Sequence, residues 1–190
     1  MTACWHCWAG GVTAGQLLCA GCHAVQPPQA VDYFTLLGQP RSFDLDLSVL
    51  EQAYLSRQQL VHPDRLVGRS ARERAYAASH SANLNDAWKT LRDPLNRALY
   101  LCQLLGIDLA SSDGRFADAP QLLQENMELH EALMEAAGDV AATATLHHQI
   151  DQLVQQQLHQ LSDDFAAGDT PAIRLGTLRL QFLSKLHHHS

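Results

Sequence analysis

The chain has 190 residues, a formal net charge of −7 and a hydrophobic content of 46%, which is typical of one to three small globular domains. Its apolar runs are too short to span a bilayer. Residues 107–190 contain four basic and twelve acidic side chains, whereas residues 1–30 contain no Asp, Glu, Lys or Arg. Because no basic stripe is available to bind a phosphate backbone, we expect neither nucleic acid nor membrane as a partner.

The sharpest motif is a set of four cysteines in the first 22 residues, spaced Cys4-x2-Cys7-x11-Cys19-x2-Cys22. Two CxxC turns can present four thiolates to a tetrahedral ion, and thirty residues without these charged side chains cannot build a core of their own. We therefore predict one structural Zn²⁺ per chain, held in a small zinc ribbon or knuckle. A redox CxxC pair and two disulfides are the alternatives, and His6 or His23 could replace one thiolate.

The middle of the chain predicts a helical hairpin. Ser48, with Glu51 three residues later, resembles a capping box that begins a helix, and Pro63 ends that helix. A second long helix is expected from about Ala71 to Arg92, closed by Asp93-Pro94, and a shorter one follows through Leu99.

The last third of the chain predicts a three-helix bundle. Apolar residues recur at helical spacing over roughly 119–137, 143–166 and 171–187, and residues 111–115 form a loop by composition. Strand signals are almost absent, so the expected fold class is all-α. We predict three parts: residues 1–30 as the metal module, 31–106 as the hairpin region and 107–190 as the bundle.

The tripeptide His62-Pro63-Asp64 lies in the polar loop between the two long predicted helices. Alone it is a weak signal, because Pro63 simply stops a helix and Asp64 helps to cap the next one. That interpretation explains the proline but not all three residues, and the position at the tip of a helical hairpin is distinctive.

Five segments together give the chain its resemblance to a known family. They are residues 32–38 (DYFTLLG), 61–65 (VHPDR), 83–95 (NLNDAWKTLRDPL), 97–101 (RALYL) and 106–109 (GIDL). This set resembles the HscB family, the J-domain co-chaperones of iron–sulfur cluster assembly. The resemblance covers about residues 31–190, and the four-cysteine segment is similar to the zinc module of the eukaryotic members.

The resemblance implies that the hairpin region is a J-domain and that it docks on a heat-shock-70 ATPase. The implied contact residues are His62, Pro63 and Asp64, together with Tyr54, Arg57 and Arg65. One departure is clear: family members usually carry an apolar residue where Arg57 stands. Arg57 is also the only basic residue between Ser48 and Val61, so docking is expected to be less electrostatic than in other J-domains.

The first helix of the predicted bundle carries two apolar stripes. Leu122, Leu129, Leu133 and Ala136 form the core stripe. Leu123, Met127 and Met134 form the second stripe, bordered by Glu128, Glu131 and Glu135, which is either a wider core contact or a partner surface. The resemblance favours the partner surface and implies that it binds the iron–sulfur scaffold protein, together with Phe182.

We therefore expect a co-chaperone that stimulates a heat-shock-70 ATPase of the HscA type and delivers a scaffold of the IscU type to it. We expect no enzyme active site in this chain. The alternatives are a general J-protein that holds unfolded clients and a thiol oxidoreductase that uses the CxxC pairs, although the latter needs positive charge beside its thiols. A cytoplasmic location is expected, or the mitochondrial matrix if a transit peptide is missing from the sequence.

Overall fold

A computed structural model describes residues 2–109 and 120–188, and within these ranges the fold is all-α, as predicted. The helices are α1 (Tyr33–Leu37), α2 (Leu47–Leu60), α3 (Ala71–Arg92), α4 (Pro94–Leu105), α5 (Pro120–Ala136), α6 (Val140–Ala167) and α7 (Thr170–His188). The described residues contain no extended strand, only two isolated antiparallel bridges, Thr2–Val12 and Leu18–Val25, in the cysteine segment. In this part of the chain, no helix combines the length and the apolar character needed to cross a bilayer.

The backbone divides into two compact units, Met1–Asp93 and Pro94–Ser190. The first unit contains the cysteine segment and α1 to α3, and the second contains α4 to α7. The predicted three-part division at residues 30 and 106 stays a prediction, because a small module can pack against its neighbour and still be a separate domain. The predicted loop at 111–115 lies outside the described residues.

The first unit is built around the predicted helical hairpin. α2 and α3 pack against each other, α1 packs against both, and a short 3-10 turn, Pro63–Leu66, lies in the connecting loop. Phe34, Leu37, Leu50, Leu84 and Leu91 are fully buried and form the centre of this unit. Their burial is what fixes the hairpin, because a helix of this length gains most of its stability from packing.

The predicted N-cap of α2, Ser48, was wrong by two residues. The helix begins at Leu47 with Asp46 as its N-cap, and the Asp46 carboxylate accepts hydrogen bonds from the amides of Ser48 and Val49. A true capping box occurs instead at α3, where Ser70 and Glu73 bond reciprocally. Asp competes well with Ser as an N-cap, so the Ser48 pattern alone did not determine the first residue of the helix.

The second unit contains the three long helices predicted for the bundle. α6 packs against α7, α5 packs against both, and α4 packs against α7. Residues from α6 and α7 form its buried centre: Ile150, Leu161, Ile173, Leu180 and Leu183. The predicted core stripe of α5 is confirmed. Leu122 and Ala136 are buried, and Leu129 and Leu133 are partly buried and pack against the core cluster that contains Ala136.

Candidate functional site

The four N-terminal cysteines converge on one point. The Sγ atoms of Cys4 and Cys22 lie 3.7 Å apart, those of Cys7 and Cys19 lie 3.8 Å apart, and all four fall within 4.8 Å of one another. None of the four is in a disulfide. A tetrahedral ion with metal–sulfur bonds of about 2.3 Å requires sulfur–sulfur distances of roughly 3.8 Å, so the cluster fits such an ion.

The two CxxC turns have the same backbone conformation. Trp8 and His23, each directly after the second cysteine of its turn, have positive φ angles of 62° and 56°. The amide of each donates to the carbonyl of the first cysteine, at 3.0 Å for Trp8 to Cys4 and 2.9 Å for His23 to Cys19. Left-handed backbone is unfavourable for residues of this kind, so both turns are held by the surrounding structure.

Hydrogen bonds and burial shape the thiol pKa values. Burial opposes ionisation of Cys4, but the amides of Cys7 and His6, with the Gln26 side chain, lower its pKa to about 6. The amides of Cys22 and Gly21 lower the pKa of Cys19. The Ala24 amide favours the Cys22 thiolate, yet burial and the other thiols outweigh it and raise the Cys22 pKa to about 12. A divalent cation bound by the four sulfur atoms would favour the thiolate form of each cysteine.

The cysteine segment is held against the hairpin by side chains that the sequence did not single out. The Nε2 atom of buried His80 lies 2.8 Å from the Gln26 carbonyl, and burial lowers the His80 pKa, so the neutral ring acts as the donor. The guanidinium of Arg72 lies 4.4 Å from the centre of the Trp5 ring, which also meets Tyr76 edge to face. These contacts make the segment part of the first unit.

The predicted ATPase contact residues divide into two groups. His62, Pro63, Asp64 and Arg65 lie together on the exposed loop at the end of α2. The Nδ1 atom of His62 accepts a hydrogen bond from the Asp64 amide and lies 3.5 Å from the Asp64 carboxylate. The Asp64 side chain is 89% exposed. The loop therefore presents an imidazole and a carboxylate side by side to solvent.

Tyr54 and Arg57 lie elsewhere and make internal contacts. The Tyr54 hydroxyl donates to Asn85 Oδ1 at 2.8 Å, and its ring stacks on Trp88 at a centroid distance of 5.2 Å. Arg57 is half-buried, and it donates to the Gly15 carbonyl at 3.1 Å, while burial lowers its pKa. The unusual arginine at this position is thus explained by a bond to the cysteine segment. An ATPase contact by either residue stays a prediction.

The second apolar stripe of α5 faces solvent. Leu123, Met127 and Met134 are 46%, 59% and 78% exposed, and Glu128, Glu131 and Glu135 are exposed beside them. Phe182 is only 7% exposed and belongs to the core cluster of the bundle, so it is not part of that open surface. Its ring lies 6.3 Å from the ring of His130, which falls on the same face of α5 as the stripe.

An ion pair fixes the opposite face of α5 within the bundle. Arg179 on α7 donates to both carboxylate oxygens of Glu125, at 2.9 Å from Nε and 2.5 Å from Nη2, and to Gln157 Oε1 at 2.9 Å. A Cβ on Gly176 would lie 2.8 Å from Gln157 Nε2 and 2.9 Å from a Leu161 methyl carbon, so glycine leaves room for these two side chains of α6. This bidentate bond restrains the rotation of α5 and so keeps the exposed stripe outward.

The sequence of this chain is similar to those of known proteins of one family. Residues 118–189 match the family model for the HSCB C-terminal oligomerisation domain. The chain is 38% identical over 160 residues to an iron–sulfur cluster co-chaperone protein HscB homolog of Arabidopsis thaliana, covering 84% of this chain and 61% of that protein. It is 39% identical over 160 residues to a co-chaperone protein HscB homolog of Azoarcus, covering 83% and 90%.

Among solved structures, the crystal structure of human co-chaperone protein HscB superposes with a TM-score of 0.88 at 32% identity. The alignment covers 98% of this chain and 95% of the human chain, so it includes the cysteine segment. The chain belongs to the HscB family of co-chaperones, and the resemblance noted in the sequence is confirmed.

Proposed function

We propose that the chain acts in iron–sulfur cluster assembly as a co-chaperone that stimulates the ATPase of a heat-shock-70 chaperone of the HscA type. The observation that carries the proposal is the exposed His62–Asp64 loop at the end of a J-like hairpin, in a member of the HscB family. The relatives are named co-chaperones rather than enzymes. The rate gain therefore arises in the partner, and this chain supplies binding energy and orientation.

The loop is suited to engage a cationic group on the ATPase. The Asp64 carboxylate is solvated, and its side-chain contact in the described structure is with the neighbouring imidazole of His62. Opposite charges that meet across an interface fix its register and lose their solvent on binding. Pro63 holds the turn rigid, because its ring restricts the backbone and thereby lowers the conformational entropy lost on docking.

The second half of the proposal is delivery of an iron–sulfur scaffold of the IscU type. The exposed stripe of Leu123, Met127 and Met134 supplies apolar contact, and the three glutamates beside it supply a negative rim. A complementary partner surface is apolar at its centre with basic residues around it. Phe182 is buried, so it would not contact the scaffold directly. Its ring packs near His130 on the same face of α5 and would help to hold that face in place.

The cysteine cluster is proposed to hold one structural Zn²⁺. Four sulfur ligands close a tetrahedral shell, which leaves no position for a substrate and so favours a structural role over catalysis. Cys4, Cys7, Cys19 and Cys22 would be the ligands. Gln26 would steady the site, since its Nε2 atom donates to Cys4 Sγ at 3.3 Å.

Metal analysis tests this assignment. Purified under reducing conditions with zinc available, the protein is expected to contain close to one zinc per chain, and Cys7→Ser is expected to lower that content. Cys102→Ala is the matched control, because Cys102 lies outside the cluster, against Thr177. Chelation is expected to lower the melting temperature, since the segment contacts the hairpin through Arg57 and His80. Metal-free protein with unchanged stability would contradict the zinc site.

Steady-state ATP turnover by the partner chaperone tests the function as a whole. The full chain is titrated into the ATPase with the scaffold present or omitted. The chain and the scaffold together are expected to raise ATP turnover more than either alone, because this chain would bring the scaffold and the ATPase together. A general J-protein would instead act equally well with any unfolded client in place of the folded scaffold.

A further inference from the structure

A pocket opens directly beside the proposed ATPase contact. It has a volume of about 420 Å³ and lies between the end of α2 and the first half of α3, with His62 and Pro63 forming part of its rim. Its apolar wall is formed by Val61, Leu66 and Ala77, all of which are buried. The proposed function assigns no role to this pocket.

Small residues create the space. Ala77 and Ala78 line the pocket from α3, where a larger side chain would fill it, and Gln58 on α2 bridges to the Ser81 carbonyl at 3.2 Å along one side. The hydrogen bond from Gln58 joins the two helices at one side of the pocket, and the small side chains of Ala77 and Ala78 leave the space beside it open. A volume of this size accommodates a large aliphatic or aromatic side chain from outside.

Positive charge lies next to the pocket rather than along α2. α2 contains one acidic residue, Glu51, and one basic residue, Arg57, whose guanidinium bonds to the Gly15 carbonyl. The loop and the first turn of α3 supply Arg65 and Arg74, both exposed. Arg74 lines the pocket, and its Nη1 atom donates to the Arg69 carbonyl at 2.5 Å, which holds the guanidinium near the loop.

We propose that this pocket receives an apolar side chain from an acidic segment of the heat-shock-70 ATPase, with carboxylates of that segment pairing with Arg74 and Arg65. The inference rests on the proposed function and adds a specificity site to it. The pocket shares His62 and Pro63 with the proposed contact, so an ATPase bound there also covers the pocket mouth. The arginines select against a basic or neutral segment at this position.

Filling the pocket provides the main test. Ala78 is an exposed helix residue that lines the pocket, so Ala78→Leu closes the space with a side chain that favours helix. The concentration of the full chain that gives half-maximal ATPase stimulation is expected to rise at least about fivefold, as for the loss of an interface anchor. Ala82→Leu, one turn further along α3 on an exposed position, is expected to leave it unchanged.

A second variant tests the charge. Arg74→Glu is also expected to raise the half-maximal concentration several-fold, and the remaining stimulation should depend less on salt than that of the unchanged protein. Melting curves by circular dichroism accompany each variant. Arg74 is exposed, so its substitution keeps the proposal testable even if Ala78→Leu does not fold.

The outcomes separate the pocket from the function it serves. If the unchanged chain stimulates the ATPase and the Asp64→Asn variant does not, the proposed function is supported. If Ala78→Leu, folded, then stimulates at the same concentrations as Ala82→Leu, the pocket is not a receptor and this inference is overturned. If the unchanged chain does not stimulate the ATPase at all, the proposed function fails and the pocket assignment falls with it.

Discussion

Asp64→Asn is expected to abolish stimulation of the partner ATPase while the protein stays folded. The substitution keeps the shape of the side chain and removes its charge, and the carboxylate is 89% exposed, so it takes no part in the core. Exposed substitutions of this kind usually change stability by less than about 0.5 kcal/mol. Loss of one partner of an interfacial charge pair commonly costs about 2–5 kcal/mol, which weakens binding by about thirtyfold at the low end of that range and by more than about a thousandfold at the high end.

The measurement is steady-state ATP turnover at a fixed ATPase concentration, with the chain titrated over at least three decades. Asp86→Asn is the matched control, because Asp86 is an exposed aspartate on α3 outside the loop. His62→Gln is expected to behave like Asp64→Asn, since it removes the imidazole that accepts a hydrogen bond from the Asp64 amide. Undiminished stimulation by folded Asp64→Asn would show that the tripeptide is only a helix stop.

The hairpin could be predicted from the sequence because its signals are local. Apolar spacing and the stop at Pro63 gave the two long helices, and α3 matches the predicted range from Ala71 to Arg92. The role of Arg57 could not be predicted in this way. Its partner is the Gly15 carbonyl, 42 residues earlier in the chain, and a backbone acceptor leaves no signal in side-chain periodicity. The same holds for His80 and the Gln26 carbonyl.

The bundle shows a similar division. The 3.6-residue period separated the two stripes of α5 correctly, since Leu122 is buried and Met127 is exposed. Period alone could not place Phe182, because α7 packs against α4, α5 and α6 and so buries more than one face. The bond from Arg179 to Glu125 was also missed, because it joins residues on different helices.

The cysteine cluster is the part of the site that spacing predicted most directly. Two CxxC turns bring their own pairs of thiols together, so only the distance between the turns depended on tertiary structure. The eleven-residue spacer closes this distance, with the bridges Thr2–Val12 and Leu18–Val25 shaping the two turns. The packing of Trp5 against Arg72 and Tyr76 had no counterpart in the sequence pattern.

The stripe of α5 leads to the second large expected effect. Changing Leu123 and Met127 together to Ala is expected to weaken scaffold binding at least tenfold, or by about 1.4 kcal/mol, because apolar anchors at an interface centre commonly cost more than this on truncation. Both side chains are about half exposed in the free protein, so the melting temperature is expected to fall only slightly. Ala also has the highest helix propensity.

The matched control is the double change of Val140 and Leu175 to Ala, because both are exposed apolar residues of the same unit outside this stripe.

Phe182→Ala is expected to behave differently. Its side chain lies in the core cluster of the bundle, so truncation should destabilise the bundle by roughly 3–5 kcal/mol, whatever its effect on scaffold binding. Calorimetric titration with the scaffold beside a melting curve separates these effects. If the Leu123 and Met127 variant binds normally but melts many degrees lower, the stripe belongs to the core, and scaffold recognition must use another face of the bundle.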